Sequence, residues 1–292
     1  MTHEIKYPVG IQSFSEIITG GYVYVDKTMY VRKMIDTGKY YFLSRPRRFG
    51  KSLFLTTLEA YFEGRRDLFK GLALDTDDVD WTPKPVIKFS FNAIRPTEKE
   101  NLDKYLNATL SDYERKYEVK YILGDFTDRF ASIIRQAKEK TGQNVAILVD
   151  EYDALLLSTL EPEKEEFNSY YRQTLKSLFS VLKNEDQSIY FVFITGISRF
   201  SQTSLFSGAN HLEDISIFND YGAICGITEQ ELHDNFKAGI EKFAEEEGIE
   251  FDEMLAELKE NYDGYHFSKK CPDLYNPFSI LRTLKSREID NY

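Results

Sequence analysis

Two short groups of residues in this chain have types and an order suited to chemistry: Gly50-Lys51-Ser52 and, further along, Asp150-Glu151. A lysine that follows glycine at a helix start can reach the β- and γ-phosphates of a nucleoside triphosphate. The serine after it can place its hydroxyl on Mg²⁺. Backbone N–H groups of such a turn face the anion, and the helix dipole favours the negative charge. Gly50 lets the backbone approach a phosphate with no Cβ in the way. Asp150 would hold Mg²⁺ opposite Ser52, directly or through water, and Glu151 would orient and polarise an attacking water.

These residues need elements to position them. Tyr40 to Leu43 is an apolar run that reads as a buried strand, and Leu53, Phe54, Leu55, Leu58 and Phe62 recur at helical spacing. Strand, polar basic turn and helix form the context a phosphate-binding loop requires. The full pattern G-x-x-x-x-G-K-[ST] has glycine where this chain has Arg45. Taken alone, the triplet is therefore also compatible with a plain basic turn at a helix start. Val145 to Val149 is a continuous apolar run, as in a central parallel strand buried on both faces. It delivers Asp150 and Glu151 at its C-terminal end, where open α/β sheets bind ligands. The bland alternative, acids that merely solubilise a strand end, is weakened by the upstream turn.

A third strand, Ile189 to Thr195, is expected to end at the same site. Thr195 is the candidate there to hold the attacking water or the γ-phosphate. Arg199 lies just beyond, placed either to sense the γ-phosphate in cis or to reach a neighbouring subunit of an oligomer. Each has a structural alternative: Thr195 as a β-favouring residue at a strand end, Arg199 as one half of an ion pair.

Composition bounds the rest. The 292 residues allow one large or two moderate domains, and 42% hydrophobic with 29% charged residues describes a soluble globular chain. No apolar run is long enough to span a bilayer, and the N-terminal segment MTHEIKYPVG lacks a signal pattern. Cys225 and Cys271 are the only cysteines, so no disulfide framework is implied. A cytoplasmic protein with no membrane partner is expected. A net charge of −11 disfavours nucleic acid as a partner. The local exception is Arg45, Arg47, Arg48 and Lys51, a cluster sized for a triphosphate and too small for a duplex.

Strands and helices alternate. Tyr22 to Val25 reads as a short strand, Asp26 to Asp36 as a helix stopped by Thr37-Gly38, and Pro85 to Ile94 as a strand. Helical pattern covers Thr97–Glu118, Asp125–Lys140 and Lys164–Lys183. The alternation predicts an α/β fold: a three-layer sandwich with a parallel sheet and helices on both faces. An extra strand between the turn and the Asp150 strand suits the P-loop NTPase class that inserts a strand between the two motif strands. After loop-like residues 196–219, Thr228-Glu229-Gln230-Glu231 forms a capping box that opens a helical region. We expect a core over residues 1–227 and a small helical lid over 228–292, the chain stopping short of a further C-terminal domain.

The ordered set of short motifs resembles the bacterial AAA-ATPase-like family over nearly the whole chain. The segments are Tyr24-Val25-Asp26-Lys27-Thr28, the 45–52 turn, Asp150-Glu151-Tyr152-Asp153, Gly196-Ile197-Ser198-Arg199-Phe200 and Phe206-Ser207-Gly208-Ala209-Asn210. Leu212-Glu213-Asp214-Ile215, the Tyr262–Phe267 segment and Asn276-Pro277-Phe278 complete it. The resemblance implies that Arg-Pro-Arg-Arg-Phe replaces the first loop glycine, so Arg45 is no departure. It implies ATP and Mg²⁺ as cofactors and slow hydrolysis coupled to a regulatory or defence output. Family members often continue into a restriction-endonuclease-like nuclease domain; no nuclease activity is carried over to these residues. The nucleotide contacts it implies are Arg45, Arg47, Arg48, Phe49, Gly50, Lys51, Ser52 and Leu53. Tyr24, Asp26 and Lys27 approach the base or ribose, or else form a structural turn capped by Asp26. His266 either faces the nucleotide or joins an aromatic cluster with Tyr262, Tyr265 and Phe267.

Three functions compete: an Mg-dependent ATPase acting as a conformational switch, a non-hydrolysing ATP-binding module that presents a surface to a protein partner or to its own C-terminal domain, and a small-molecule kinase. Glu151 favours the first. The unusual turn leaves the second open. The third has no legible acceptor pocket.

Overall fold

The computed structural model describes residues 5–120, 124–199 and 212–290. Five parallel strands form the main sheet: β1 (Tyr40–Ser44), β2 (Val86–Ser90), β3 (Val145–Asp150), β4 (Ile189–Gly196) and β5 (Glu213–Asp214), in the order β2-β3-β4-β1-β5. The 85–94 strand expected between the two motif strands is not there: β2 lies outside β3, and the strand that separates β1 from β3 is β4, the Thr195 strand.

Period-two alternation sorts each strand's residues onto two faces. Phe42, Ile87, Phe89, Ile147, Val149, Val192 and Ile194 pack against one helical layer. That layer consists of α4 (Asn101–Tyr117), α5 (Phe126–Thr141) and α7 (Glu165–Asn184). Tyr41, Leu43, Ala146, Leu148, Phe191 and Phe193 face the opposite layer. There α1 (Phe14–Thr19), α2 (Thr28–Thr37) and α3 (Lys51–Phe62) cover them. A short α6 (Ala154–Leu157) follows β3. The result is the expected three-layer α/β arrangement.

A third buried cluster belongs to the C-terminal residues. β6 (Ile227–Thr228) pairs antiparallel with β7 (Leu274–Tyr275). Around this pair lie α8 (Glu229–Glu247), α9 (Phe251–Tyr262) and α10 (Pro277–Ser286). Leu232, Phe236, Ile240, Met254, Leu258 and Ile280 bury one another there. The capping box forms as expected: Thr228 Oγ1 accepts from Glu231 N–H, and the Glu231 carboxylate accepts from Thr228 N–H. Glu231 also takes the ammonium of Lys27 at 2.5 Å, tying the start of α8 to the N-terminal segment.

Some expectations fail locally. Residues 22–27 are not a strand; Val23 N–H instead reaches the Lys6 carbonyl at 2.9 Å. The predicted 85–94 strand shortens to β2, because a 3₁₀ turn takes over at Phe91–Ala93. Phe200 and Phe206–Asn210 lie outside the described residues. No helix among the described residues is long and apolar enough to cross a membrane.

Candidate functional site

Parallel pairing brings the motifs to one sheet edge. Ser44 lies level with Gly196, and Val149 with Ile194, so β1, β3 and β4 end together. The turn after β1 is bound in at once, Arg45 N–H reaching the Gly196 carbonyl at 3.2 Å. Gly50 caps α3 with φ of 98°, a left-handed conformation costly for other residues, and a Cβ there would meet nothing within 4 Å. Lys51 opens the helix and is 4% exposed. Its ammonium donates to the Arg45 and Pro46 carbonyls, each at 2.9 Å. Burial lowers its pKa, while nearby Glu151, Asp150 and Asp153 work against that shift.

The acids are held from β4. Thr195 Oγ1 donates to Asp150 Oδ1 at 2.6 Å and accepts from Glu151 N–H at 3.2 Å. Thr195 was expected to hold water or phosphate. Its hydroxyl is instead committed to orienting the two acids beside it. Asp150 is 5% exposed. Glu151 takes a left-handed backbone, φ 50°, which for a non-glycine residue marks a site that the surroundings enforce. Burial and the adjacent Asp150 raise its pKa against the pull of Lys51 and Arg47.

Asp153 was not singled out as a site residue by sequence, yet it locks the end of β4. Its fully buried carboxylate accepts from Ile197 N–H and from Ser198 N–H, the latter at 2.6 Å. Tyr152 OH donates to the Ser198 carbonyl at 2.9 Å. A Cβ on Gly196 would stand 2.4 Å from the Tyr152 ring, so this packing requires glycine.

The basic turn divides into structural and exposed members. Arg45 was expected to contact nucleotide, but its side chain is 1% exposed and turned into the fold. Its guanidinium donates to the carbonyls of Ser44, Ser216, Tyr221 and Gly222 and lies 4.0 Å from the Phe267 ring centroid. Planar, multiply donating and always charged, arginine suits such a carbonyl cage. Substituting Arg45→Met should destabilise the protein by roughly 3 kcal/mol, because buried carbonyls lose their donors. Equilibrium denaturation measures it; a change within experimental error would refute the cage as a stabilising element. Phe49 also turns inward. Its buried ring makes edge contacts with Tyr265 and Phe267 at 5.0 and 5.2 Å, and its carbonyl accepts from Gly226 N–H. Any Phe49 contribution to a ligand is therefore through the backbone.

Arg47 and Arg48 are exposed and make no ion pair among the described residues. The Arg48 guanidinium lies 4.1 Å from the Phe278 ring centroid. Arg199 pairs with Asp214 at 2.8 Å, the structural alternative foreseen for it. Asp26 accepts from Thr28 N–H at the start of α2 and from Ala73 N–H, and Lys27 is bound by Glu231. The structural turn at Asp26 is present, and Tyr24 and Lys27 also line the apolar opening beside Gly50. His266 is exposed beside Asp273, 3.0 Å away, while its neighbours Tyr265 and Phe267 stack on each other and meet Phe49.

Two adjoining openings meet at the turn. One is mostly apolar, with Val23, Val25, Leu53, Ile227 and Leu281 among its walls. The other presents Arg48, Lys51, Ser52 and Glu151. Pro8, Ile17, Phe49, Gly50, Leu53 and Pro277 border both.

A parallel three-layer α/β sheet with a glycine-lysine-serine helix start and acids on a nearby strand is a P-loop-like fold. The chain belongs to the family described as Predicted AAA-ATPase, whose model matches residues 8–206. An uncharacterized protein from the vnfD 5′ region of Azotobacter chroococcum mcd 1 is 38% identical over 289 residues. The alignment covers 98% of this chain and 53% of that relative, so the chain spans about half its length. No solved structure matches.

Proposed function

We propose that this chain binds Mg-ATP at the Lys51 turn and hydrolyses it slowly, with residues 228–292 acting as a lid that responds to the nucleotide. One observation carries this reading: a buried lysine at a helix start lies in the electrostatic field of Asp150 and Glu151 at a common sheet edge. Lys51 would exchange the Arg45 and Pro46 carbonyls for the β- and γ-phosphates. Backbone N–H groups from Gly50 to Leu53 would take the remaining phosphate oxygens. Arg47 and Arg48 would add charge at the mouth, and the apolar opening suits the base.

The donor set fits Mg²⁺. Ser52 and Asp150 are the hard oxygen ligands it prefers, and Thr195 fixes Asp150 by one oxygen. When bound, the ion would neutralise charge on the β- and γ-oxygens. Glu151, with its raised pKa, would accept a proton from the attacking water. Arg199 could reach a phosphate only by leaving Asp214. That ion pair also favours a second reading, a module that binds ATP and barely turns it over.

The output we infer is a regulatory or defence switch, read by a protein partner or by a further part of a longer chain. Calorimetric titration with ATP, with magnesium and then with EDTA, tests the core of the reading. Binding that magnesium strengthens is expected; no heat under either condition rejects nucleotide binding.

A further inference from the structure

The Arg48 side chain rests on Phe278, a residue far away in sequence that belongs to the C-terminal helix α10. We propose that Phe278 is a positioning residue: its ring holds Arg48 so that the guanidinium edge faces the terminal phosphate. Discrimination between ATP and ADP would then depend on the seat of α10.

Several observations converge. Arg48 and Phe278 line the same opening as Lys51, Ser52 and Glu151. The guanidinium carbon is 4.1 Å from the ring centroid, a stacking distance. Stacking uses the face of a planar guanidinium and leaves its N–H edge free to donate to phosphate. Lysine cannot do both. The Arg48 backbone is left-handed, φ 61°, so its side chain departs from a fixed and unusual direction. Phe278 is equally fixed. Asn276 Oδ1 accepts from Phe278 N–H at 2.9 Å, Pro277 opens the helix, and Ile280 and Leu284 anchor α10 in the C-terminal cluster.

No acidic side chain competes for Arg48 among the described residues. The contrast with Arg45 is instructive. Arg45 also lies on an aromatic ring, Phe267, but both of its terminal nitrogens donate to carbonyls and only Nε is left over. Arg48 has the stack without the cage, which suits a group that must still receive a ligand.

This inference rests on the nucleotide-binding reading, and its test separates the two. Affinities for ATP and ADP are measured calorimetrically, with magnesium, for the wild-type chain, Phe278→Leu, Phe278→Trp and Arg48→Lys. Phe278→Leu and Arg48→Lys should each weaken ATP binding about threefold to thirtyfold while changing ADP binding much less. Phe278→Trp, which keeps an aromatic face, should restore the wild-type ratio of the two affinities. Equal losses for ATP and ADP would reduce Phe278 to a packing residue and overturn the proposal. So would an unchanged ratio in Arg48→Lys, an exposed substitution that leaves the fold intact if Phe278→Leu does not. If the wild-type chain binds neither nucleotide, the nucleotide-binding reading itself fails.

Discussion

Replacing Lys51 with alanine should abolish measurable ATP binding and leave the fold standing. In the proposed site this buried ammonium at the start of α3 is the group that would meet the phosphates. Each charge-assisted hydrogen bond it would make is worth about 1.5–3 kcal/mol. Loss of two such bonds weakens binding by roughly two to four orders of magnitude. In the structure the same ammonium bridges the Arg45 and Pro46 carbonyls. The lost bridge should cost some stability, but Pro46 is partly exposed and water can replace the donor there. The measurement is a titration of Lys51→Ala with Mg-ATP beside a thermal melt. Undiminished affinity in a folded variant would remove Lys51 from the site.

Glu151→Gln should separate turnover from binding. We expect hydrolysis to fall by about two to three orders of magnitude, the range of positioned general-base catalysis. ATP affinity should persist, since glutamine keeps the shape and removes charge from beside the water and not from the metal ligands. Stability offers a second reading of the same variant. Burial and Asp150 raise the Glu151 pKa, so the folded protein holds that proton more tightly than the unfolded chain. The stability this group contributes is fullest in acid and is lost as pH rises through its unfolded pKa towards the raised folded one. At neutral pH an ionised Glu151 is therefore unfavourable, and Glu151→Gln should melt at or above the wild-type temperature. The difference should shrink as the pH falls into the carboxylate range. A variant with wild-type turnover would make Glu151 a bystander and direct attention to Asp153.

The parts legible in sequence were those governed by local pattern. Gly50-Lys51-Ser52 and the β3 run followed by Asp150 could be read because a strand-turn-helix and a doubly buried strand each have a signature within a dozen or so residues. The Thr228 capping box was legible for the same reason. Illegible were the uses to which a side chain is put by distant partners. Arg45 looked like its neighbours Arg47 and Arg48, yet three of its four acceptors come from residues 216–222. Thr195 was placed correctly at the strand end, but only the pairing of β3 with β4 shows that its hydroxyl belongs to Asp150. Two-residue β5 carries too little pattern to be seen at all. One clue was available: the arginines of the turn and the aromatics near the C-terminus are matched sets, and guanidinium stacks on rings.

The Arg45 cage also bears on how the chain reaches its folded state. Its acceptors at Ser216, Tyr221 and Gly222 lie 171, 176 and 177 residues further on. The ring it stacks on, Phe267, comes later still. Contacts of such long range close late, because loop entropy must be overcome before they stabilise anything. The 45–52 turn, although made of consecutive residues, is thus expected to be among the last parts to become ordered. The residues that complete it also lie beyond the 8–206 stretch that the family model matches. A ligand that recognises only the finished turn would draw the whole chain towards the folded state by mass action, adding about 2.7 kcal/mol at a hundredfold excess over its dissociation constant. Refolding in the presence of nucleotide would then act as a check on completeness, since only chains that have brought their C-terminal helices home could hold it.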